Sequence, residues 1–168
     1  VGDYEAKVQK AEQEAEMHSA TIGLEKDTQA LMQSIESSNA YDDDGRPTYK
    51  GMPDQFQKGM SELIDKHRKT LSFPSSKVAY NQSVEKYNLD MKGKLNGIYR
   101  TRQTEHLKGE LTKNLDHYGL DLESGLSRAR ADIDSNVAGL VITPSQGQDQ
   151  YDSFRAQWQS AKVSSDLG

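Results

Sequence analysis

The aspartates of Asp42-Asp43-Asp44-Gly45 are the densest set of oxygen ligands in the chain, and their first comparison is with a calcium-binding loop. Such a loop alternates its oxygen ligands, needs glycine at the sixth position and a bidentate acid at the twelfth. With Gly45 placed sixth, Ala40 stands first and Gly51 twelfth, so both essential positions fail. The cluster therefore reads as an acidic turn in which Asp side chains cap backbone donors. A second group, Glu105, His106 and Glu110, falls on one predicted helix. His106 and Glu110 are one turn apart, and His117 lies three turns further on a similar face. No His-Glu-x-x-His motif is present and nothing completes a coordination shell, so these residues read as solvated helix surface.

Other chemistries find less to work with. Acids such as Glu12, Glu14, Glu16 and Glu62 are plentiful, but none has the paired setting that glycosidic cleavage requires. No Gly-x-Ser-x-Gly elbow and no glycine-rich phosphate loop occurs. With no cysteine, disulfides, thiol catalysis and thiolate metal sites are excluded. The sequence thus assigns no catalytic residue, no cofactor and no metal ligand, and the expectation is a non-enzyme. What remains is an aromatic stripe, Tyr151, Phe154 and Trp158, at helical spacings of three and four. It either packs onto the protein's own helices or anchors another subunit, because Trp and Tyr concentrate in interface hot spots. These three residues are the candidate interface.

Helices must position all of this. Val1, Tyr4, Val8, Ala11, Ala15, His18 and Ile22 recur at alternating three and four, which predicts one narrow apolar stripe on a first helix over about 2–38. His18 reads there as a partly buried seam residue. After Ile22 the seam passes to Leu24, Thr28, Leu31 and Ile35, a register change that lets one helix meet different neighbours. Gly23 is the only interior breaker. The loop of about 39–53 follows, then a helix over about 54–71 with Phe56, Met60, Leu63 and Ile64 on one face. A long helix over about 76–118 carries Val78, Val84, Tyr87, Met91, Leu95 and Ile98, then Leu107, Leu111, Leu115 and Tyr118. The polar stretch from Arg100 to Glu105 separates its two stripes, and core contact should thin there. At about 1.5 Å per residue such a helix extends on the order of 60 Å. Gly119 is placed as its stop. Helices over about 121–138 and 144–163 complete the chain, the last opened by Thr143-Pro144-Ser145-Gln146 as cap, first-turn proline and reciprocal capping residue. Leu140-Val141-Ile142 reads as a docking linker. Tyr87–Met91 and Tyr118–Leu122 share Tyr-x-Leu-Asp-apolar, but two copies establish no repeat.

Composition agrees with helices of modest core. Apolar residues are 33% and charged residues 28% of 168, against an apolar share of about 45–50% in ordinary globular chains. The apolar residues are periodic rather than scarce at random, which favours thin bundles and coiled coils over disorder. A net charge of −5 gives no nucleic-acid signature. The basic run Lys66-His67-Arg68-Lys69 ends a helix, where cations complement the dipole. No apolar run is long enough for a transmembrane segment. The expected fold is all-α: a single elongated helical bundle, 1–168, with long coiled-coil-like helices, cut from a longer polypeptide.

Asp43-Asp44-Gly45-Arg46-Pro47-Thr48-Tyr49-Lys50-Gly51-Met52-Pro53, followed by Phe56 and a charged helix, resembles a loop-and-helix pattern in large internal virion proteins of tailed bacteriophages. Those ejection-type proteins are likewise acidic, Gln- and Ser-rich, cysteine-free and low in apolar content. The resemblance spans roughly 40–118 and carries over no catalytic residue. It implies a structural role in the virion: self-association or docking on other virion proteins, in a channel or scaffold ejected with DNA. Two alternatives stand beside it, a bacterial secreted helical-bundle adaptor or effector, and a helical ligand-binding or enzymatic domain around His106, Glu110 and His117. The assembly reading predicts that apolar stripe residues stay exposed on the single chain.

Overall fold

The computed structural model describes residues 2–168. The fold is all-α, with helices α1 (Gly2–Glu36), α2 (Met52–Arg68), α3 (Pro74–Gly119), α4 (Gly125–Ala138) and α5 (Pro144–Leu167). Its contacts fall into two compact units, one ending at Arg100 and the other spanning Thr101–Gly168. Where the sequence reads as one domain, the division lies at the start of the polar stretch 100–105. No apolar side chain there continues either stripe, so α3 serves one core before that point and another after it.

In the first unit α1, α2 and the first part of α3 enclose Leu24, Ile35, Met52, Phe56, Met60, Tyr80, Val84, Met91 and Leu95. The second stripe of α1 is inward as expected, with Leu24, Thr28 and Ile35 buried and Leu31 partly so. Its first stripe is not. Tyr4, Val8, Ala11, Ala15, His18 and Ile22 are all exposed, and His18 is no seam residue of this bundle; Val1 lies outside the described residues. The inward face of that part of α1 carries Gln13, Glu16, Met17 and Ala20, only one of them a large apolar residue, and it is held by specific bonds. Glu16 accepts from the backbone N–H and hydroxyl of Ser72 and, at 3.3 Å, from the N–H of Phe73, just ahead of α3. Ser76, buried, donates to the Gln13 carbonyl at 3.0 Å. Asp27 pairs with Lys66 at 2.9 Å and with Nε2 of His67 at 2.8 Å. Gly23 lets that imidazole lie against the helix, since a Cβ there would stand 2.5 Å from Cε1 of His67. An apolar scan reads such a face as solvent, and that is why the first stripe is misread.

Two further differences share this cause. Val78 is exposed, while Tyr80, two residues on, is fully buried with its hydroxyl donating to the Ile64 carbonyl at 2.8 Å. Tyr49, in the segment read as loop, is buried in a 3-10 turn over Tyr49–Gly51, its ring edge-on to Tyr99. The acidic turn itself is a tight reversal bridged by Tyr41 and Pro47. The Asp42 carboxylate accepts from the N–H groups of Asp44 and Arg46 at 2.9 and 2.8 Å, and Gly45 takes the positive φ of 78°.

Glu16 yields a pH prediction. Ser72 and its neighbouring donors lower its pKa from 4.5 to about 2, the Ser72 hydroxyl contributing most. A carboxylate whose folded pKa is depressed stabilises the fold above its unfolded pKa, and that contribution is lost as pH falls through the folded value. Glu16→Gln should therefore melt earlier than the parent at pH 7. The gap should close between about pH 4.5 and pH 2. Thermal melts at stepped pH, followed by circular dichroism, check both.

The second unit packs the rest of α3 with α4 and α5 around Leu111, Ile133 and Ile142. Ile142 is thus core, although Leu140, in the same short run, is exposed. Leu140 occupies the left-handed position after α4 with φ 62°. The N–H groups of Leu140 and Val141 return to the Val137 and Asn136 carbonyls, closing α4 by a Schellman pattern one residue beyond Gly139. Thr143 and Gln146 form the expected reciprocal capping box of α5. The Tyr-x-Leu-Asp echo is no structural repeat: Tyr87–Met91 is mid-helix, and Tyr118–Leu122 is the end of α3 and the turn after it.

Candidate functional site

Tyr151, Phe154 and Trp158 lie along α5, and the structure divides their roles. Phe154 is buried in its own unit. Tyr151 is half-buried against the second core, with the Arg130 guanidinium 4.6 Å over its ring. Trp158 is half-buried, and its indole N–H donates to the Asp121 carbonyl at 2.8 Å. One turn further, Lys162 donates to the Leu122 carbonyl at 3.0 Å. The stripe is therefore first an internal clamp, by which α5 holds the turn between α3 and α4. As a partner anchor it offers only the edges that packing leaves uncovered.

That turn is built around Asp121. Its side chain accepts from the N–H groups of Glu123 and Ser124 and from Arg128, at 3.2, 3.0 and 3.1 Å. These donors, Ser124 first, hold the carboxyl below its usual range. Its carbonyl accepts from Trp158 and from the Gly125 N–H at 2.9 Å. Because Asp121 forms this turn, α4 begins at Gly125, four residues later than apolar periodicity predicts.

Beside the clamp runs a groove of about 670 Å³ between the end of α3 and α5. Leu115, Leu120, Phe154 and Trp158 supply its apolar walls, and Asp116 and Asp149 stand at its polar margin. Leu120 is 83% exposed at its mouth. Chemically the groove suits an apolar side chain, because Leu115, Leu120, Phe154 and Trp158 line it together. Sequence reasoning missed it because Leu120 belongs to no helical stripe.

The His and Glu side chains weighed as metal ligands and read as helix surface are placed as follows. His106 and Glu110 are half-buried along α3, Glu110 lying 3.5 Å from Lys113, while Glu105 and His117 are exposed. Among the described residues no three His, Cys, Asp or Glu side chains are grouped so as to hold a metal ion. In the run Lys66-His67-Arg68-Lys69, the first two bond to Asp27, and Arg68 bonds to Asp65 and Asn81. No described helix is long and apolar enough to cross a membrane.

The other surface of note is the outward stripe of α1, where Tyr4, Val8 and Ile22 are 73%, 38% and 51% exposed. Residues 2–12 are exposed on every side. Compared with known proteins, the chain matches no family model, no curated protein and no solved structure.

Proposed function

We propose that this chain is a structural helical module that assembles with copies of itself, and that it serves inside a tailed-phage virion. The single observation that supports assembly is the outward stripe of α1. Six residues at strict alternation of three and four, from Tyr4 to Ile22, face solvent along one side of a helix whose other side packs from Gln13 onward. A seam of that kind, apolar at every position except His18, marks an interaction surface, and its narrow width is that of a coiled-coil seam. The virion setting is supported by the resemblance of the Asp43–Pro53 loop and by the acidic, cysteine-free composition. In this reading the protein works by shape and contact, as one part of a scaffold or channel, and carries out no catalytic step.

Light scattering coupled to size exclusion, over a concentration series, tests the proposal. Assembly gives a molar mass that rises with concentration or holds at a multiple of 18.8 kDa. A mass of one chain at every concentration contradicts it.

A further inference from the structure

Resting on the assembly reading, we infer a particular interface: the outward stripe of α1 pairs with the same stripe of a second copy, as a parallel, in-register two-stranded coiled coil. Three observations carry this. Tyr4, Ala11 and His18 recur every seven residues, and so do Val8, Ala15 and Ile22; two such interleaved sets make the heptad repeat that winds two helices about one another. All six are exposed, and the residues that α1 does bury, such as Ala20 and Leu24, lie about half a turn around the helix from them. A partner helix can therefore lie along the stripe without displacing α2 or α3. Finally, residues 2–12 form three helical turns with no buried or half-buried position. Isolated helices that short are marginal in water, and a second helix along Tyr4 and Val8 would supply the missing packing.

Charge selects the copy and its direction. With Val8, Ala15 and Ile22 at the first core position of each heptad, Lys7, Glu14 and Thr21 flank the seam on one side. Glu5, Glu12, Ser19 and Lys26 flank it on the other. In a parallel in-register pair each of the first set meets the residue five positions later in its partner. Lys7 then meets Glu12 twice by symmetry, Glu14 meets Ser19, and Thr21 meets Lys26. No like charges face each other. The antiparallel pairing that sets Tyr4 against Ile22 instead opposes Glu12 with Glu12 and Glu14 with Glu14. Shifting that pairing by one heptad in one direction opposes Glu5 with Glu12, and in the other direction sets Tyr4 against Gln29 and Val8 against Glu25, outside the apolar stripe.

Because the chain has no cysteine, single replacements report this geometry. Val8→Cys and Ile22→Cys in the full chain should each oxidise rapidly to a disulfide-linked dimer, since a core position of an in-register pair meets its own counterpart. Lys10→Cys, on the far side of the same helix, should link slowly. Light scattering on the reduced proteins accompanies the cross-linking, and Val8→Glu should weaken any dimer by at least about tenfold. Linkage at both core positions with a weakened Val8→Glu dimer supports the interface. A chain that dimerises without linking at both positions, or whose dimer ignores Val8→Glu, overturns this interface but leaves assembly standing. A monomer at every concentration overturns both.

Discussion

Gly125→Ala should cost the second unit about 3 kcal/mol or more, the largest loss expected from so small a change. A Cβ on Gly125 would stand 2.0 Å from the Tyr118 carbonyl oxygen and 2.8 Å from the indole nitrogen of Trp158. Neither can yield cheaply. The carbonyl belongs to the end of α3, and the indole is held by its bond to Asp121. Opening the turn to admit a methyl would break that bond and the Gly125 N–H bond to the same carbonyl. Alanine ordinarily gains up to about 1 kcal/mol over glycine inside a helix, so a loss here would run against propensity and point to the close approach. Trp158 is the only tryptophan. Its emission therefore follows this unit directly, and the expected result is a transition lowered by roughly 10 °C or more. A melt within a degree or two of the parent would show that the turn is not clamped as described.

Tyr80→Ala is expected to destabilise the first unit by about 3–5 kcal/mol, as for other large aromatic truncations in cores. Tyr80 is 0% exposed, between α1, α2 and α3. Its phenol is pushed up to about 12, chiefly by burial. The contrasting variant is Tyr80→Phe, which keeps the ring and removes only the hydroxyl that bonds the Ile64 carbonyl. That change should cost about 1 kcal/mol. Chemical denaturation followed by far-ultraviolet circular dichroism separates the two. Equal losses for both variants would place the energy in the hydrogen bond rather than in the packed ring.

The pattern of what the sequence discloses has a physical cause. Helices α2, α4 and α5 bury apolar side chains on one face, so Phe56, Met60, Ala129, Ile133 and Phe154 are legible from spacing alone. The cap of α5 is legible because Thr143 and Gln146 act within four residues of each other. Bonds between distant elements are not. Glu16 to Ser72, Asp27 to His67 and Trp158 to Asp121 join positions 37 to 56 apart. Each converts a polar residue into an inward one. The first two of these bonds hold α1 with its polar side inward, so that its most regular apolar stripe faces out. That regularity is legible in the spacing, but what it faces is not, because periodicity identifies a seam and leaves its partner open. The aromatic stripe shows the converse, where a spacing that suits an interface mainly serves an internal clamp.

Concentration-dependent hydrogen exchange of the intact chain tests the central claim, assembly through α1, most directly. Residues 4–12 are exposed on every side, and helical turns of that kind open readily. The account predicts that their amides exchange fast in dilute protein and become protected as concentration rises, while amides near Met91 and Leu95 are unaffected. Fast exchange over 4–12 that stays the same at every concentration would contradict it.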